Sequence, residues 1–432
     1  MTKAQVLVVG AGLAGVGAAV ELARAGQPVL VADRAPRAGG AIHRQPLPGR
    51  AAISSHAARW DRLIAEAQAL PIDWAFETKF AGLDHTGTAL LSGATNRLMR
   101  PAALVLALGA REAVRPRTGW TLPNVTTAGA LQIELKTQGL APQGRVLLAG
   151  NGPLLIAVAA QMTRLGNPPV AIVESAAPFA HPLHSLALPL SYLREAAGYM
   201  ATLIRARVPI LTRAEVVAIR AEGTALSVRV ETPKGPRVFT VDRVGLHDGI
   251  RKNDGGVTAC AAVPVLALGD CAEVLGARAA LASGRAGGIA LARALTNGTP
   301  RETVPSTTLV RERAAQQRLA RIYAHDAMAR LADLPGGTVI CRCEGGTLDD
   351  LRALGPTPRV RELRLLGRFG MGPCQGRSCG EWVARASADD PGLPPPDTPL
   401  GRARWPLAPI AIADLIAATS DTGAAPLPSE GT

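Results

Sequence analysis

The chain has 432 residues, 47% of them hydrophobic, enough to bury large cores and to divide into about two to four domains. Its formal charge is +13, but only five of its 47 basic residues are lysines, the arginines are scattered, and aromatics make up 3%. A nucleic-acid binder would concentrate charge on one face and interleave stacking aromatics, so that class is excluded; the charge suits an acidic protein partner or an anionic surface.

The N-terminus carries no signal cleavage site, and its apolar run passes straight into a glycine motif. The chain is therefore expected to stay in the cytoplasm. No window reaches the roughly 18 apolar residues of a membrane span. The longest candidate, residues 146–162, is broken at Gly150-Asn-Gly-Pro153, so any membrane contact is expected to be peripheral, at the inner membrane.

Val6 to Val9 reads as a buried parallel strand leading into Gly10-Ala-Gly-Leu-Ala-Gly15 and an Ala-rich helix to about Ala25. A second strand, Pro28 to Asp33, ends in an acid, which completes a βαβ dinucleotide unit. Gly10 makes the tight turn, Gly12 lets backbone approach a pyrophosphate, Gly15 lets helix and strand pack, and Asp33 accepts from ribose hydroxyls. Leu13, Ala14 and Arg34 flank these positions, and Gly40 and His43 follow in Gly39-Gly-Ala-Ile-His-Arg44; all five are candidate cofactor contacts.

Two later segments point to FAD by resemblance. Leu104 to Ala110, with Ala107 and Gly109, looks like the strand and turn that close the first half of the flavin domain in two-dinucleotide-binding flavoproteins. Val263 to Cys271 looks like their late Gly-Asp motif, in which Gly269 and Asp270 would hold the ribitol chain. The helix that follows, with Ala280 near its start, would place its positive end at the flavin carbonyls.

Between these segments lies a second unit: a strand from Gly144 to Gly150, the turn Asn-Gly-Pro-Leu-Leu155, a helix, and a strand ending at Glu174. It resembles the inserted NAD(P)H domain of the same flavoproteins. It departs from the fingerprint, because Leu155 replaces the third glycine and should push the helix off the strand, and Pro153 stiffens the turn. Nicotinamide turnover, a bound adenine nucleotide and an empty vestigial fold all remain open here. A thiol–disulfide reductase would need a redox cysteine pair beside the flavin; neither Gly39–Arg44 nor the second unit has one. Cys260 and Cys271 are expected to be buried free thiols.

Residues from Gly298 to about Leu334 form an Arg-rich connector with helical spacing. Next come Cys341-Arg-Cys343 and, after a thirty-residue gap, Cys374-Gln-Gly-Arg-Ser-Cys379. Four thiolates are the ligand complement of an iron–sulfur cluster, and a one-residue gap is tight for structural zinc, though zinc uses the same sulfurs. With short helices expected at Thr347–Leu351 and Gly380–Arg385, the segment resembles the bacterioferritin-associated ferredoxin-like 2Fe-2S domain, which implies that Cys341, Cys343, Cys374 and Cys379 are its metal ligands. Asp390 to Pro399 should form an extended arm, and Ala417 to Thr432 should be disordered.

Taken together, and with Gly119-Trp-Thr-Leu-Pro-Asn-Val-Thr-Thr-Ala-Gly-Ala-Leu-Gln132, the chain to about Trp405 resembles the larger (A or alpha) subunits of heteromeric dye-linked amino-acid dehydrogenases, such as those of opine oxidases, hydrogen cyanide synthases and proline or hydroxyproline dehydrogenases. The departure is Leu108, where a threonine is usual in the turn. The expected fold is α/β: a two-dinucleotide-binding-domain flavoprotein with a small helical C-terminal 2Fe-2S domain. The expected division is residues 1–118 and 245–300 for FAD, 119–244 for the inserted NAD(P)-binding-like domain, 301–334 as connector, 335–386 for the cluster, and 387–432 as arm and tail. The resemblance implies FAD, a 2Fe-2S cluster and, in some members, FMN at the interface between subunits. It also implies a D-amino-acid-oxidase-like FAD partner and, in some complexes, a small ferredoxin-like third subunit. No catalytic residue is evident. A self-sufficient NAD(P)H-dependent flavin and iron–sulfur reductase stands as the alternative.

Overall fold

The computed structural model describes residues 4–50, 52–53, 57–257, 259–298, 306–325, 331–356, 358–387, 400 and 404–420. Two five-stranded parallel sheets organise the chain. The first runs in the order Val265–Ala267, Ala103–Leu106, Val6–Val9, Val29–Ala32, Ile72–Ala75, and the second Ile210–Thr212, Ala171–Glu174, Val146–Gly150, Arg243–His247, Val125–Thr127.

Both sheets have the same section, and the period of two along a strand explains it. Val6 and Val8 point to the helix Leu13–Arg24, while Leu7 and Val9 point to an antiparallel sheet built from Thr78–Leu83, Ala89–Gly93 and Arg97–Met99. Val146 and Leu148 likewise meet the helices Ala128–Gln138 and Pro153–Arg164, while Leu147 and Ala149 meet the antiparallel strands Glu215–Glu222, Ala225–Glu231 and Arg237–Val241. A strand buried on both faces tolerates no polar alternation, which is why its sequence reads as an unbroken apolar run.

The long helix Ala277–Asn297 lies directly on Leu13–Arg24. A Cβ on Gly284 would fall 2.2 Å from the Ala14 carbonyl oxygen and one on Gly288 2.7 Å from that of Ala18, so only glycine permits this crossing. A two-stranded ribbon, Ala110–Glu112 against Ile250–Lys252, follows the first sheet's strand Ala103–Leu106. Within the connector a helix forms over Thr307–Ile322.

The C-terminal unit has its own core, in which Phe369 is fully buried among Ile340, Leu348, Leu351, Leu363, Trp382 and Val383. Its helices at Leu348–Arg352 and Gly380–Ser387 match the expectation; a further one, Val360–Leu365, lies between them. Thr347 and Asp350 close a capping box on the first. The Pro-rich run from Asp390 to Pro399 and residues 421–432 lie outside the described residues. Ala417 to Ser420, expected to be disordered, belong instead to a helix, Ile412–Ser420. Ala418 is buried against Leu90, and the Ser92 hydroxyl donates to Asp414 at 2.7 Å, so long-range packing supplies what local composition does not.

Candidate functional site

The first glycine turn sits where the first sheet's strands end, the usual crevice for ligands in open α/β sheets. Gly10 has a φ of +106°, and a Cβ there would lie 2.4 Å from the Ala107 carbonyl oxygen; a Cβ on Gly15 would lie 1.8 Å from that of Gly10. These two glycines are required by the protein itself. Gly12 differs: it is extended, and its Cβ would meet only the Gly40 Cα, at 3.8 Å. Any demand for glycine there comes from a ligand.

Asp33 accepts the Ala11 and Ala35 N–H groups, at 2.6 and 2.8 Å, while Arg34 points to solvent. Gly40 (φ +60°) closes on Gly12, and the Gly39 N–H donates to the Ala11 carbonyl. His43 is buried and stacks on Trp60, ring centroids 5.2 Å apart. Gly109 (φ +69°) follows Ala107 and Leu108 at the end of its strand. Gly269 packs against Ala14 and Ala280, and Asp270 accepts the Leu275 and Gly276 N–H groups, each at 2.9 Å. The structure therefore gathers Gly10, Gly12, Leu13, Ala14, Gly15, Asp33, Gly40, Ala107, Gly269 and Ala280 around one turn.

Two cations escaped the sequence reading because they come from outside the fingerprint. The Arg44 Nε is buried with no hydrogen-bond partner, and Asp33 offsets part of the burial that lowers its pKa. An orphaned guanidinium N–H near a helix N-terminus fits an anionic cofactor. Lys136, 5% exposed, donates to the carbonyls of Ala41 and Ile42 at 3.0 Å and so holds the loop after Gly40. Burial lowers its pKa to about 8 from 10.5, with Arg44 adding to the effect. The folded state then releases this proton before the unfolded one does, so stability rises with pH between about 8 and 10.5, by an amount on the order of 3 kcal/mol. Denaturant titrations across that range are expected to show the rise in the native chain and its loss in Lys136→Met.

At the other end of the chain the four cysteines converge. Cys343 and Cys374 sulfurs are 3.2 Å apart, and Cys379 bonds to both Cys341 and Cys374. The Cys379 hydrogen bonds pull the Cys374 and Cys341 thiols down, to about 4 and about 6, against desolvation; Cys379 is pushed up by the same contacts. Among the described residues no three His, Cys, Asp or Glu side chains form a ready single-ion site; the sulfurs meet as a chain of pairs instead. A thiol-only set in paired contact suits soft metal chemistry, and Gly372 is needed because its Cβ would strike Cys343 at 2.6 Å. The remaining thiols are free: Cys271 is buried and donates to the Asn253 carbonyl, whereas Cys260 is only half-buried.

Side-chain contacts fasten this unit to the rest of the chain. Trp120 Nε1 donates to the Val339 carbonyl at 2.7 Å, Arg251 pairs with Glu381 at 3.3 Å, and Arg377 donates to the Gly255 and Leu407 carbonyls at 2.9 and 2.8 Å. Arg251 stands on the ribbon opposite Arg111, two residues beyond Gly109, so one short ribbon joins the first turn to the thiols.

The second turn is built differently. Gly150 is flanked in register by Glu174 and His247. The Gly152 N–H donates to the Glu174 carboxylate at 3.0 Å, and the His247 Nδ1 lies 2.8 Å from Glu112. Leu155 is fully buried in the core beneath its helix, at the position where Gly15 brings backbone to backbone in the first unit.

The family model described as pyridine nucleotide-disulphide oxidoreductase matches residues 4–270. The chain is 33% identical to the opine oxidase A-subunit of Agrobacterium tumefaciens (strain Ach5), over 95% of this chain and 90% of that one. It is 30% identical to the hydrogen cyanide synthase component HcnB of Pseudomonas aeruginosa, over 86% and 90%. The structure of L-proline dehydrogenase from P. horikoshii superposes with a TM-score of 0.61 over 96% of this chain and 79% of that one, at 16% identity. Among the described residues no helix is long and apolar enough to cross a membrane.

Proposed function

The chain belongs to the pyridine nucleotide-disulphide oxidoreductase family, alongside the A-subunits of opine oxidases, and we propose that it is the electron-carrying subunit of a heteromeric dehydrogenase acting on CH–NH donors such as amino acids, imino acids or opines. The observation that carries this reading is the ribbon of Ala110–Glu112 and Ile250–Lys252, which follows Gly109 and ties a flavin-type turn to a thiol-only unit through Arg251 and Glu381.

When bound, FAD would take up two electrons together and release them singly, and a 2Fe-2S cluster would accept them one at a time. The protein's part is binding and orientation. The open face of Gly12 and the Leu13–Ala14 start of the helix would hold the pyrophosphate, Asp33 the ribose, and Arg44 a phosphate charge. Asp270 shapes the turn before Ala280 by accepting two N–H groups, which aims the positive end of Ala277–Asn297 at the flavin site. Cys341, Cys343, Cys374 and Cys379 would hold the cluster. An FMN at the interface between subunits is a further cofactor of this class.

The amine-oxidising partner would be a D-amino-acid-oxidase-like flavoprotein, in some complexes with a small ferredoxin-like third chain. Its contact would fall on the exposed face carrying Arg359, Val360, Arg361, Leu365 and Leu366. Arg377, in the same Arg-rich stretch, turns inward to Gly255 and Leu407, and Arg368 pairs with Glu344. The test is dye reduction by the isolated chain and by the complex co-expressed with its neighbouring flavoprotein, with proline, hydroxyproline, glycine, opines and NADH. Only the complex is expected to reduce dye with an amino acid or opine. Equal rates for the isolated chain would overturn the subunit reading, and rapid reduction by NADH alone would put the self-sufficient reductase in its place.

A further inference from the structure

We infer that the second dinucleotide turn is closed by the chain's own Tyr323–His325 segment, which makes Asn151, Tyr323 and His325 specificity-determining residues that exclude pyridine dinucleotides as electron donors. The inference concerns this turn alone and holds whichever compound the partner oxidises.

A dinucleotide pyrophosphate is bound by backbone N–H groups at the turn and the helix N-terminus. Three of those positions offer no free N–H here. The Asn151 N–H donates to the His247 carbonyl at 2.6 Å, the Gly152 N–H donates to Glu174, and Pro153, the first residue of the helix, has no N–H. The Glu174 carboxylate, 2% exposed, also accepts the Ala176 N–H at 2.9 Å. The Glu174 carboxyl, its pKa raised by burial, thus takes an N–H that an incoming phosphate would use.

The cover is specific. Asn151 Nδ2 donates to the Tyr323 carbonyl at 2.9 Å and also meets His325 Nδ1. Tyr323 is itself buried at this turn: burial pushes its phenol well above the usual pKa, and the Glu174 charge adds to the effect. The segment is held by the helix that delivers it: Arg313 pairs with Glu273 at 2.6 Å, Tyr192 donates to Glu312 at 2.5 Å, and Gln316 reaches the Leu275 carbonyl at 3.4 Å. Beside the cover, among the described residues, lies a cleft of about 250 Å³ lined by Ser175, Ala176, Arg213, Glu215, Ala324 and His325. That is below the roughly 300 Å³ at which small-molecule sites begin. The first turn has Ala11 at the position of Asn151, with no side chain to recruit a cover.

Asn151→Ala therefore gives the second turn the residue of the first, and combining it with His325→Ala removes both side-chain contacts while leaving the core untouched. The full-length flavin-loaded chain is titrated with ADP by calorimetry and mixed anaerobically with NADH or NADPH while flavin absorbance is followed. Affinity scales with the fraction of molecules in the open state, so the double variant is expected to bind ADP at least about tenfold more tightly than the native chain, whose flavin stays oxidised with either reduced nucleotide. Rapid bleaching of the native chain, or ADP affinity equal in native and variant proteins of matching flavin content and melting temperature, would overturn the inference. Hydrogen exchange on the native chain gives an independent reading. Amides 150–155 and 323–325 are expected to exchange alike with and without NADH, and a change in either group on adding NADH also overturns it.

Discussion

Replacing Cys374 with serine is expected to empty the C-terminal unit of iron and acid-labile sulfide while leaving the flavin in place. The cluster requires four thiolates, and an alkoxide is a poor substitute for the softer sulfur, so iron should fall from about two per chain to a small fraction of that. Cys374 is the informative choice because it is only half-buried, whereas Cys379 is packed with Ile340 and Phe369 and its loss would also disturb the core. Cys271→Ser serves as the control: that thiol belongs to the core of the first sheet and donates to the Asn253 carbonyl, so metal content should not change. Iron, sulfide and the paramagnetic signal of the reduced protein are the measurements. About one zinc and no iron in the native chain would sink the cluster assignment.

Gly12 and Gly15 are expected to fail in opposite ways when each is replaced by valine. In the Gly12 variant the new Cβ has only the Gly40 Cα within 4 Å, so the chain should fold and melt as before, yet lose most of its flavin because the side chain occupies the phosphate's approach. In the Gly15 variant the Cβ would lie 1.8 Å from the Gly10 carbonyl oxygen, which forces helix and strand apart, and folded protein should be scarce. Asp33→Ala should fall between them, weakening flavin binding by about 1 to 3 kcal/mol through lost charge-assisted hydrogen bonds. Circular dichroism and flavin absorbance per folded chain separate the three. Full flavin retention in Gly12→Val would place the cofactor elsewhere.

The sequence by itself determined the elements whose cause is local. Apolar runs of four or five residues became strands buried on both faces, the Gly10–Gly15 spacing became a turn with its helix, and Thr347 with Asp350 became a capped helix start. The spacing of the four cysteines likewise announced that two distant turns meet. Tertiary structure decided what depends on residues far apart in the chain. Lys136 and Arg44 join the first turn from outside its fingerprint, Arg377 spends its charge inside the protein, and Ala418 is drawn into a helix by a strand more than three hundred residues earlier. The second turn shows the division most plainly. Its degenerate glycines are legible in the sequence, but whether it is open was set by Asn151 meeting Tyr323, 172 residues away. A motif specifies the conformation of its own backbone; which of its hydrogen-bond donors remain free for a ligand depends on what the rest of the fold packs against them.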